Sequence, residues 1–276
     1  MWPILRAVTR FFDVVLSPFA AMPPAVGLLV VSIVTGVVML LIFGKTSNQA
    51  MITATKDKLK AYIMEMWIFR NDTRVMFSAI GSVIRNNLAY LRHSLRPLVF
   101  IFVPVLLIMI QLGIRYANEP LAPGDVAVVT ARLRGDVRAS ESGVELAVPE
   151  GVSAVSAPLR IDATGEILWQ IRAEDSGVHE LRLSAPEGDV SKRLVVGEGT
   201  GVVALASTKA PAGSWDAFLY PSEPPVPRGS SIRSVSVEYP VREGVLFGLD
   251  VHWLLTFFVV SVAAGFALKG VFGIDV

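Results

Sequence analysis

Residues able to support enzyme chemistry are few and scattered along this 276-residue chain. There is no Cys, which excludes disulfides and thiolate metal sites. The three histidines, His93, His179 and His252, lie far apart, and neither HExxH nor GxSxG occurs. Gly44-Lys45-Thr46 resembles the end of a phosphate loop, but Met39 stands where that loop needs glycine. We therefore expect a protein that is not an enzyme and that has no cofactor or metal ion.

A cluster of methionines offers a different chemistry, the contact with apolar partners. Met51, Met64, Met66 and Met76 all lie between residues 45 and 96. Methionine is unbranched and polarizable, so it suits surfaces that accept varied apolar groups. Together with Trp67, these side chains are candidates for contacting hydrophobic client segments. The alternative is that they pack two helical arms of this segment against each other.

The same segment is basic, with nine Lys or Arg against three Asp or Glu. A basic connection between membrane spans stays in the cytoplasm, because positive charge resists translocation. Apolar residues recur at steps of three and four on both sides of Asn71-Asp72. This spacing predicts a helical hairpin over residues 45–96, with its turn at Asn71-Asp72.

Three apolar stretches predict membrane spans. They are Val26–Phe43, Leu98–Ile114 and Val251–Leu268. Each is about as long as a helix that crosses a ~30 Å hydrocarbon core. Hydrophobic residues make up 53% of the chain and charged residues 18%, which fits a membrane protein. The net charge of +1 gives no reason to expect a nucleic-acid partner.

The stretch before the first span predicts a further membrane element. In Trp2–Phe19, Arg6, Arg10 and Asp13 share one helix face, and apolar residues cover the rest. This pattern is typical of an amphipathic helix that lies in the membrane interface. The alternative is that the stretch simply prolongs the first span. With the basic segment inside, the N-terminus and residues 116–250 are predicted to lie outside.

Short alternating stretches separated by Gly, Pro, Asp and Ser predict an all-β sandwich between the second and third spans. Within it, the residues from Glu174 to Leu181 resemble the turn into a strand of immunoglobulin-like domains, with His179 where the corner Tyr would be. Pro221–Pro227 is predicted to be a surface loop. The predicted strands are Val126–Arg134, Gly143–Val148, Ile167–Arg172, His179–Leu183, Arg193–Val196, Gly201–Ala206 and Ser234–Tyr239.

These elements combine into an α-helical membrane protein that carries an external immunoglobulin-like domain. The predicted order is an interfacial amphipathic helix (1–20), a first span (21–44), a cytosolic helical hairpin (45–96), a second span (97–117), an external β-sandwich (118–249) and a third span (250–270).

The order of these elements resembles the YidC-type insertase superfamily, in particular the insertase subunit of the endoplasmic reticulum membrane complex and its archaeal relatives. The residues that carry the resemblance are Val31–Ile42, the hairpin from Asn48 to Arg96, and Val103–Tyr116. The resemblance covers roughly the first 117 residues and the third span. The external β domain has no counterpart in the family pattern.

The resemblance implies a hydrophilic groove, open to the cytosol and to lipid, that lowers the cost of inserting client helices. A charge at mid-bilayer costs ~2.5–3.5 kcal/mol on insertion scales, and a wet groove reduces that cost. Bacterial members often place an Arg in the groove from the first span, and Thr35 falls about there in this chain. The residues expected to line the groove are Ser32, Thr35, Gln111, Arg115, Thr256 and Ser261.

The expected function is therefore a non-enzymatic membrane-protein insertase or chaperone in the bacterial inner membrane. Its partners would be the lipid bilayer and hydrophobic client segments or other membrane proteins, with no nucleic acid. The alternative function is a membrane-anchored scaffold whose external β domain binds an envelope partner. Polar side chains that converge on one lipid-open groove would favour the insertase, and a sealed apolar bundle would favour the scaffold.

Overall fold

The computed structural model describes residues 2–19, 22–47, 98–135, 137–197, 202–246 and 249–274. The chain divides into two compact units, one of residues 1–27 and 109–253 and one of residues 28–108 and 254–276. Between residues 48 and 97, the structure describes only Ala54, Asp57, Lys58, Lys60, Ala61, Ile63, Met64, Trp67, Ile68, Gly81 and Ile84.

The N-terminal part of the chain forms two separate helices. Helix α1 (Trp2–Leu16) is followed by a short 3-10 helix (Ser17–Phe19), and α2 (Pro24–Thr46) begins after a break. Pro24 suits the first position of α2, because a proline there loses no helical hydrogen bond. Helix α3 spans Leu98–Tyr116.

A series of short strands follows α3, and an apolar helix comes after them. Ser214 caps the short helix α4, its side chain accepting a hydrogen bond from the backbone N–H of Ala217 at 3.1 Å. In chain order the elements are β1 (Val126–Leu133), β2 (Glu145–Ala147), β3 (Val152–Ala154), β4 (Leu159–Ile161), β5 (Glu166–Ala173), β6 (Gly177–Ser184), β7 (Val190–Val196), β8 (Thr208–Lys209), α4 (Trp215–Leu219), β9 (Ile232–Val237), β10 (Val245–Leu246), β11 (Leu249–Asp250) and α5 (Trp253–Leu268).

The strands form antiparallel sheets. One sheet has the order β3-β5-β1-β9-β8, with β4 also paired to β5, and a second has the order β2-β6-β7. Strand β1 lies at the centre of the first sheet, where Val129 is opposite Trp169 on one side and Val237 on the other. Alternate residues of β1, β5 and β9 face one core, to which Leu181 and Leu194 of the second sheet also contribute. The arrangement is that of a β-sandwich-like domain.

The His179 ring connects two parts of the β domain. Its Nε2 lies 2.8 Å from the carbonyl oxygen of Asp175, and its Nδ1 lies 3.1 Å from that of Glu150. The ring therefore joins the start of β6 to the residue before the Gly151 turn.

Two sequence predictions about this domain are wrong, one about a strand and one about a loop. The described part of Gly201–Ala206 is irregular rather than a strand, because its carbonyl groups accept hydrogen bonds from the side chains of Lys192 and Arg193 instead of from a neighbouring strand. Pro221–Pro227 is not simply a surface loop. Its Val226 is 1% exposed and its Glu223 7%, since both side chains pack inward where this segment crosses the domain.

The end of α3 is joined to the β domain by backbone hydrogen bonds. The N–H of Leu205 donates to the carbonyl oxygen of Ile114 at 2.7 Å, and the N–H of Arg242 donates to that of Ala117 at 3.1 Å. These bonds satisfy carbonyl groups that a helix C-terminus otherwise leaves without partners. The β domain and the last two turns of α3 therefore belong to the same compact unit.

Two of the described helices, α2 and α3, are long and apolar enough to cross a membrane. Protein buries only 39% of the apolar stretch of α2 and 28% of that of α3, unlike the core helix of a soluble protein. Helix α5 is equally apolar but shorter, at 16 residues. In the second unit, α2 and α5 cross closely at Gly36, where a Cβ atom would overlap the backbone oxygen of Ser261. Small residues allow such close crossings in membranes.

A buried ion pair joins β7 to the Pro221–Pro227 segment. The Nζ of Lys192, 0% exposed, lies 2.5 Å from a carboxylate oxygen of Glu223 and also donates to the carbonyl oxygen of Ala206. The second carboxylate oxygen accepts from the backbone N–H of Arg193 at 3.2 Å. Burial lowers the pKa of Lys192, and the negative charge of Glu223 opposes that shift.

We expect Glu223→Gln to destabilise the protein by ~3–5 kcal/mol, because it leaves the Lys192 charge buried and unpaired. Folded Lys192 would then lose its proton further below the ordinary pKa of 10.5, while the unfolded chain would keep it. The folded state would bind fewer protons below pH 10.5, so the free energy of unfolding of the variant should rise more steeply as the pH approaches 10.5 than that of the parent. Chemical unfolding in detergent micelles at several pH values measures both effects.

The matched control is Glu141→Gln, which removes a carboxylate from the exposed pair with Arg138. An exposed pair contributes little, so stability should barely change. An equal loss of stability in the two variants, or a free energy of unfolding of Glu223→Gln that does not change with pH, would contradict this. Glu223 would then not stabilise the buried charge of Lys192.

Candidate functional site around Arg115

A buried arginine near the end of α3 is the centre of the most connected polar cluster among the described helices. Arg115 is 1% exposed. Its Nη1 donates to the carbonyl oxygen of Gln111 at 2.9 Å and to the side-chain oxygen of Gln111 at 2.8 Å. Its Nη2 donates to the carbonyl oxygen of Thr9 at 3.2 Å and to the carboxylate of Asp13. The guanidinium therefore meets acceptors from two helices, and one of them is charged.

A second chain of hydrogen bonds runs beside the ion pair. The Nε2 of Gln111 donates to Oγ1 of Thr9 at 3.1 Å, and that hydroxyl donates to the carbonyl oxygen of Leu5 at 3.0 Å. Gln111 is 1% exposed and Thr9 is 6% exposed. Linked hydrogen bonds in a low-dielectric environment polarise and strengthen one another. We call Thr9, Asp13, Gln111 and Arg115 the α1–α3 latch.

Helical spacing positions the latch on both sides. Leu5, Thr9 and Asp13 follow one another at steps of four on α1, and Gln111 and Arg115 are four apart on α3. Residues at this spacing lie above one another on one face of a helix. Two such faces therefore meet along about two turns, and each donor finds an acceptor opposite it.

Helix α1 has two further faces that nothing described covers. Ile4 is 68% exposed, Phe11 62% and Val14 72%. Arg6 and Arg10 are exposed as well and form a separate basic face. Asp13, predicted to share a face with these two arginines, is exposed as they are, and its carboxylate contacts the buried guanidinium of Arg115.

Sequence reasoning identified Gln111 and Arg115 but missed their partners Thr9 and Asp13. One signal could have found Asp13. It is the only acid in α1, and Arg115 is the only charged residue in α3. A lone acid and a lone base in apolar segments are expected to pair, because each is costly to bury alone. Thr9 gave no such signal, since a helical threonine commonly bonds to its own backbone.

The other residues expected to line a groove lie in the second unit. Ser32 is 0% exposed, Thr35 4% and Thr256 3%, and Ser261 is half-buried. The Ser32 hydroxyl donates to the carbonyl oxygen of Leu28 at 2.6 Å, and that of Ser261 donates to the carbonyl oxygen of Phe258 at 3.1 Å. The structure thus brings Gln111 and Arg115 together in one unit and places the four hydroxyl residues in the other.

Part of the proposed client-contacting set can be located. Met64 and Trp67 are helical, and they are 64% and 75% exposed. Ile63 and Ile68, on the same helix face, are 57% and 61% exposed. We call these four residues the hairpin apolar cluster. Met51, Met66 and Met76 lie outside the described residues, as does the predicted turn at Asn71-Asp72.

No group of three or more His, Asp or Glu residues in the described part of the chain is arranged to hold a metal ion. The described part of the chain thus combines two helices that are long and apolar enough to cross a membrane with an antiparallel β domain. No protein-family model, curated protein or solved structure matches this chain.

We expect Asp13→Asn to release α1 from α3, because it leaves the buried Arg115 charge without its anion. The chain has no Cys, so a single Leu16→Cys substitution reports on the inner face of α1, where Leu16 is 3% exposed. In detergent micelles, maleimide labelling of that cysteine should become about tenfold faster, as for ~1.4 kcal/mol of lost contact.

Asp13→Glu keeps the charge and should keep labelling slow, and Arg10→Gln removes a charge from the exposed face of α1 and should do the same. Unchanged labelling in the Asp13→Asn background would mean that the ion pair does not hold α1 in place.

Proposed function

We propose that this chain is a non-enzymatic membrane-protein insertase or membrane-protein chaperone related to the YidC-type superfamily. In this proposal α2, α3 and α5 are three membrane spans of a bacterial inner-membrane protein. The β domain is an immunoglobulin-like sandwich on the outer side, and residues 45–96 and the C-terminus lie in the cytoplasm. The partners are the lipid bilayer and hydrophobic client segments.

The observation that carries the proposal is the hairpin apolar cluster. Four large apolar side chains lie on one face of a helix in a basic, polar segment, and each is more than half exposed. Such a contiguous apolar face is costly in water unless it meets a partner. Methionine and tryptophan adapt to partners of varied shape, which suits a surface that must accept many client segments.

Polar groups within the apolar helices supply the second half of the proposed mechanism. The buried hydroxyls of Ser32, Thr35 and Thr256 lie among side chains that are otherwise apolar. In this proposal the packed helices separate to admit a client, whose polar groups then meet these hydroxyls instead of bare hydrocarbon, which lowers the cost of insertion. No energy source is needed, because the protein changes only the height of the barrier.

A second candidate function is a membrane-anchored scaffold that binds an envelope partner through the β domain. The hydrogen bonds from Leu205 to Ile114 and from Arg242 to Ala117 favour it, because they join the β domain to α3 within one compact unit. A β domain that is bonded to α3 could pass the effect of a bound partner to the membrane helix. An insertase does not need this connection.

The proposed topology predicts which positions react with an impermeant maleimide in intact cells. Single Cys substitutions are possible without background because the chain has none. Asp189→Cys, at an exposed turn of the β domain, should be labelled, and Lys58→Cys, at an exposed position of the hairpin, should be labelled only after the cells are opened. Labelling of Lys58→Cys in intact cells would show that the proposed topology is wrong.

The insertion activity can be tested in vesicles that contain the purified protein and a model client with one apolar helix. Met64→Glu with Trp67→Glu places two charges in the hairpin apolar cluster and should reduce insertion about tenfold, as for ~1.4 kcal/mol of lost client binding. Lys58→Glu is the matched control. Lys58 is helical and exposed but lies outside the hairpin apolar cluster, so insertion should change little.

A photo-crosslinker at position 64 should also attach to the apolar client, and one at position 58 should not. If the parent protein inserts the client no better than protein-free vesicles do, the scaffold function replaces the insertase. If the parent is active and the doubly charged variant is equally active, the hairpin apolar cluster is not the capture surface.

A further inference from the structure

A half-open cavity of about 360 Å³ lies between α1 and the segment that carries α4. Leu5 of α1 forms one wall, Ala212, Ala217 and Phe218 line the opposite side, and Arg228 stands at the cavity as well. All these residues belong to the same compact unit. The volume falls within the range of ~300–1,000 Å³ that is typical of ligand pockets.

The chemistry of the cavity is that of an amphipathic ligand with a negative charge. Its walls are mostly apolar, since Leu5, Ala217 and Phe218 offer only carbon atoms. Arg228 is exposed and makes no ion pair with any residue that the structure describes. A guanidinium next to an apolar pocket is suited to a phosphate group with an attached hydrocarbon chain, because arginine binds phosphate oxygens through two parallel hydrogen bonds.

The surroundings of the cavity identify where such a ligand comes from. Trp215 on α4 is 65% exposed, and its ring lies 5.4 Å from that of Phe218. Exposed tryptophan is typical of the level of lipid headgroups. On the other wall, α1 exposes Ile4 and Phe11 on one face and arginines on another, the pattern of a helix that lies in the membrane interface.

We propose that this cavity binds one anionic phospholipid of the surrounding bilayer, with part of an acyl chain between Leu5 and Phe218 and the phosphate on Arg228. The lipid then joins α1 to the β domain beside the α1–α3 latch. This proposal depends only on membrane association, and it stands whether or not the protein inserts clients.

The test is native mass spectrometry of the full-length protein in detergent, titrated with phosphatidylglycerol or with phosphatidylcholine. The parent should retain one phosphatidylglycerol and bind phosphatidylcholine more weakly. Arg228→Gln should weaken phosphatidylglycerol binding about tenfold and remove the preference between the two lipids. Ala212→Trp, which fills the cavity from an exposed position, should reduce the binding of both lipids.

Arg172→Gln is the matched control. It removes an exposed cation from β5 that does not line the cavity, so lipid binding should match that of the parent. Melting temperatures of all variants show whether they are folded. Equal retention of phosphatidylglycerol by the parent and by folded Ala212→Trp would overturn the proposal. So would binding of inorganic phosphate as tightly as phosphatidylglycerol, because the apolar wall would then contribute nothing.

Discussion

The buried charge of Arg115 is the constraint on which the first compact unit depends. A guanidinium in an apolar environment must be paired and fully hydrogen-bonded, since breaking a buried pair costs ~3–5 kcal/mol. Within α3 only Gln111 helps to satisfy it. The remaining acceptors come from Thr9 and Asp13 of α1, which ties an otherwise separate amphipathic helix to the end of α3.

The consequences of this pairing extend to the β domain. Asp13 and Thr9 face α3. Leu5 lies one turn before Thr9 on α1, and it lines the cavity beside the α4 segment. The end of α3 is in turn fixed by the bonds that Ile114 and Ala117 accept from the β domain. Helix α1, the end of α3 and the β domain therefore share one set of contacts. This arrangement leaves the apolar and basic faces of α1 exposed.

Much of the helical layout and several strands could be predicted from the sequence, because they depend on local patterns. Uncharged runs of about 18 residues and strict alternation are visible without tertiary information. The irregular stretch of Gly201–Ala206 was not predictable in this way. It is apolar enough for a strand, but its carbonyl groups are taken by Lys192 and Arg193, and their positions depend on the sandwich being formed. Long-range contacts also bury Glu223, against the expectation for a Pro-rich loop.

Two of the four latch residues could be predicted from the sequence, and the other two could not, because their role depends on long-range contacts. The resemblance to insertases implied a polar groove and so pointed to Gln111 and Arg115, and any polar side chain in an apolar helix has to find partners. Their partners lie about a hundred residues away in the sequence, and nothing local connects Thr9 to Gln111. Likewise, the hydroxyls of Ser32 and Ser261 bond to their own helix backbones, so polarity in the sequence did not reveal whether they line a shared path.

The latch also sets a condition on any function in which α1 moves. Arg115 receives acceptors from Thr9 and Asp13 of α1, and one of them carries a negative charge. A ligand or client segment that displaces α1 has to offer the guanidinium equivalent hydrogen-bond acceptors, one of them negatively charged. Otherwise the displaced state is disfavoured, because it contains an unpaired buried charge. An apolar client segment cannot do this, because it brings no acceptor beyond its own helical backbone. Segments that carry an acid or several free carbonyl groups can, so in the proposed insertase the latch would discriminate among clients by polarity. Apolar segments have to be received elsewhere, and among the described residues the hairpin apolar cluster offers a surface of matching chemistry.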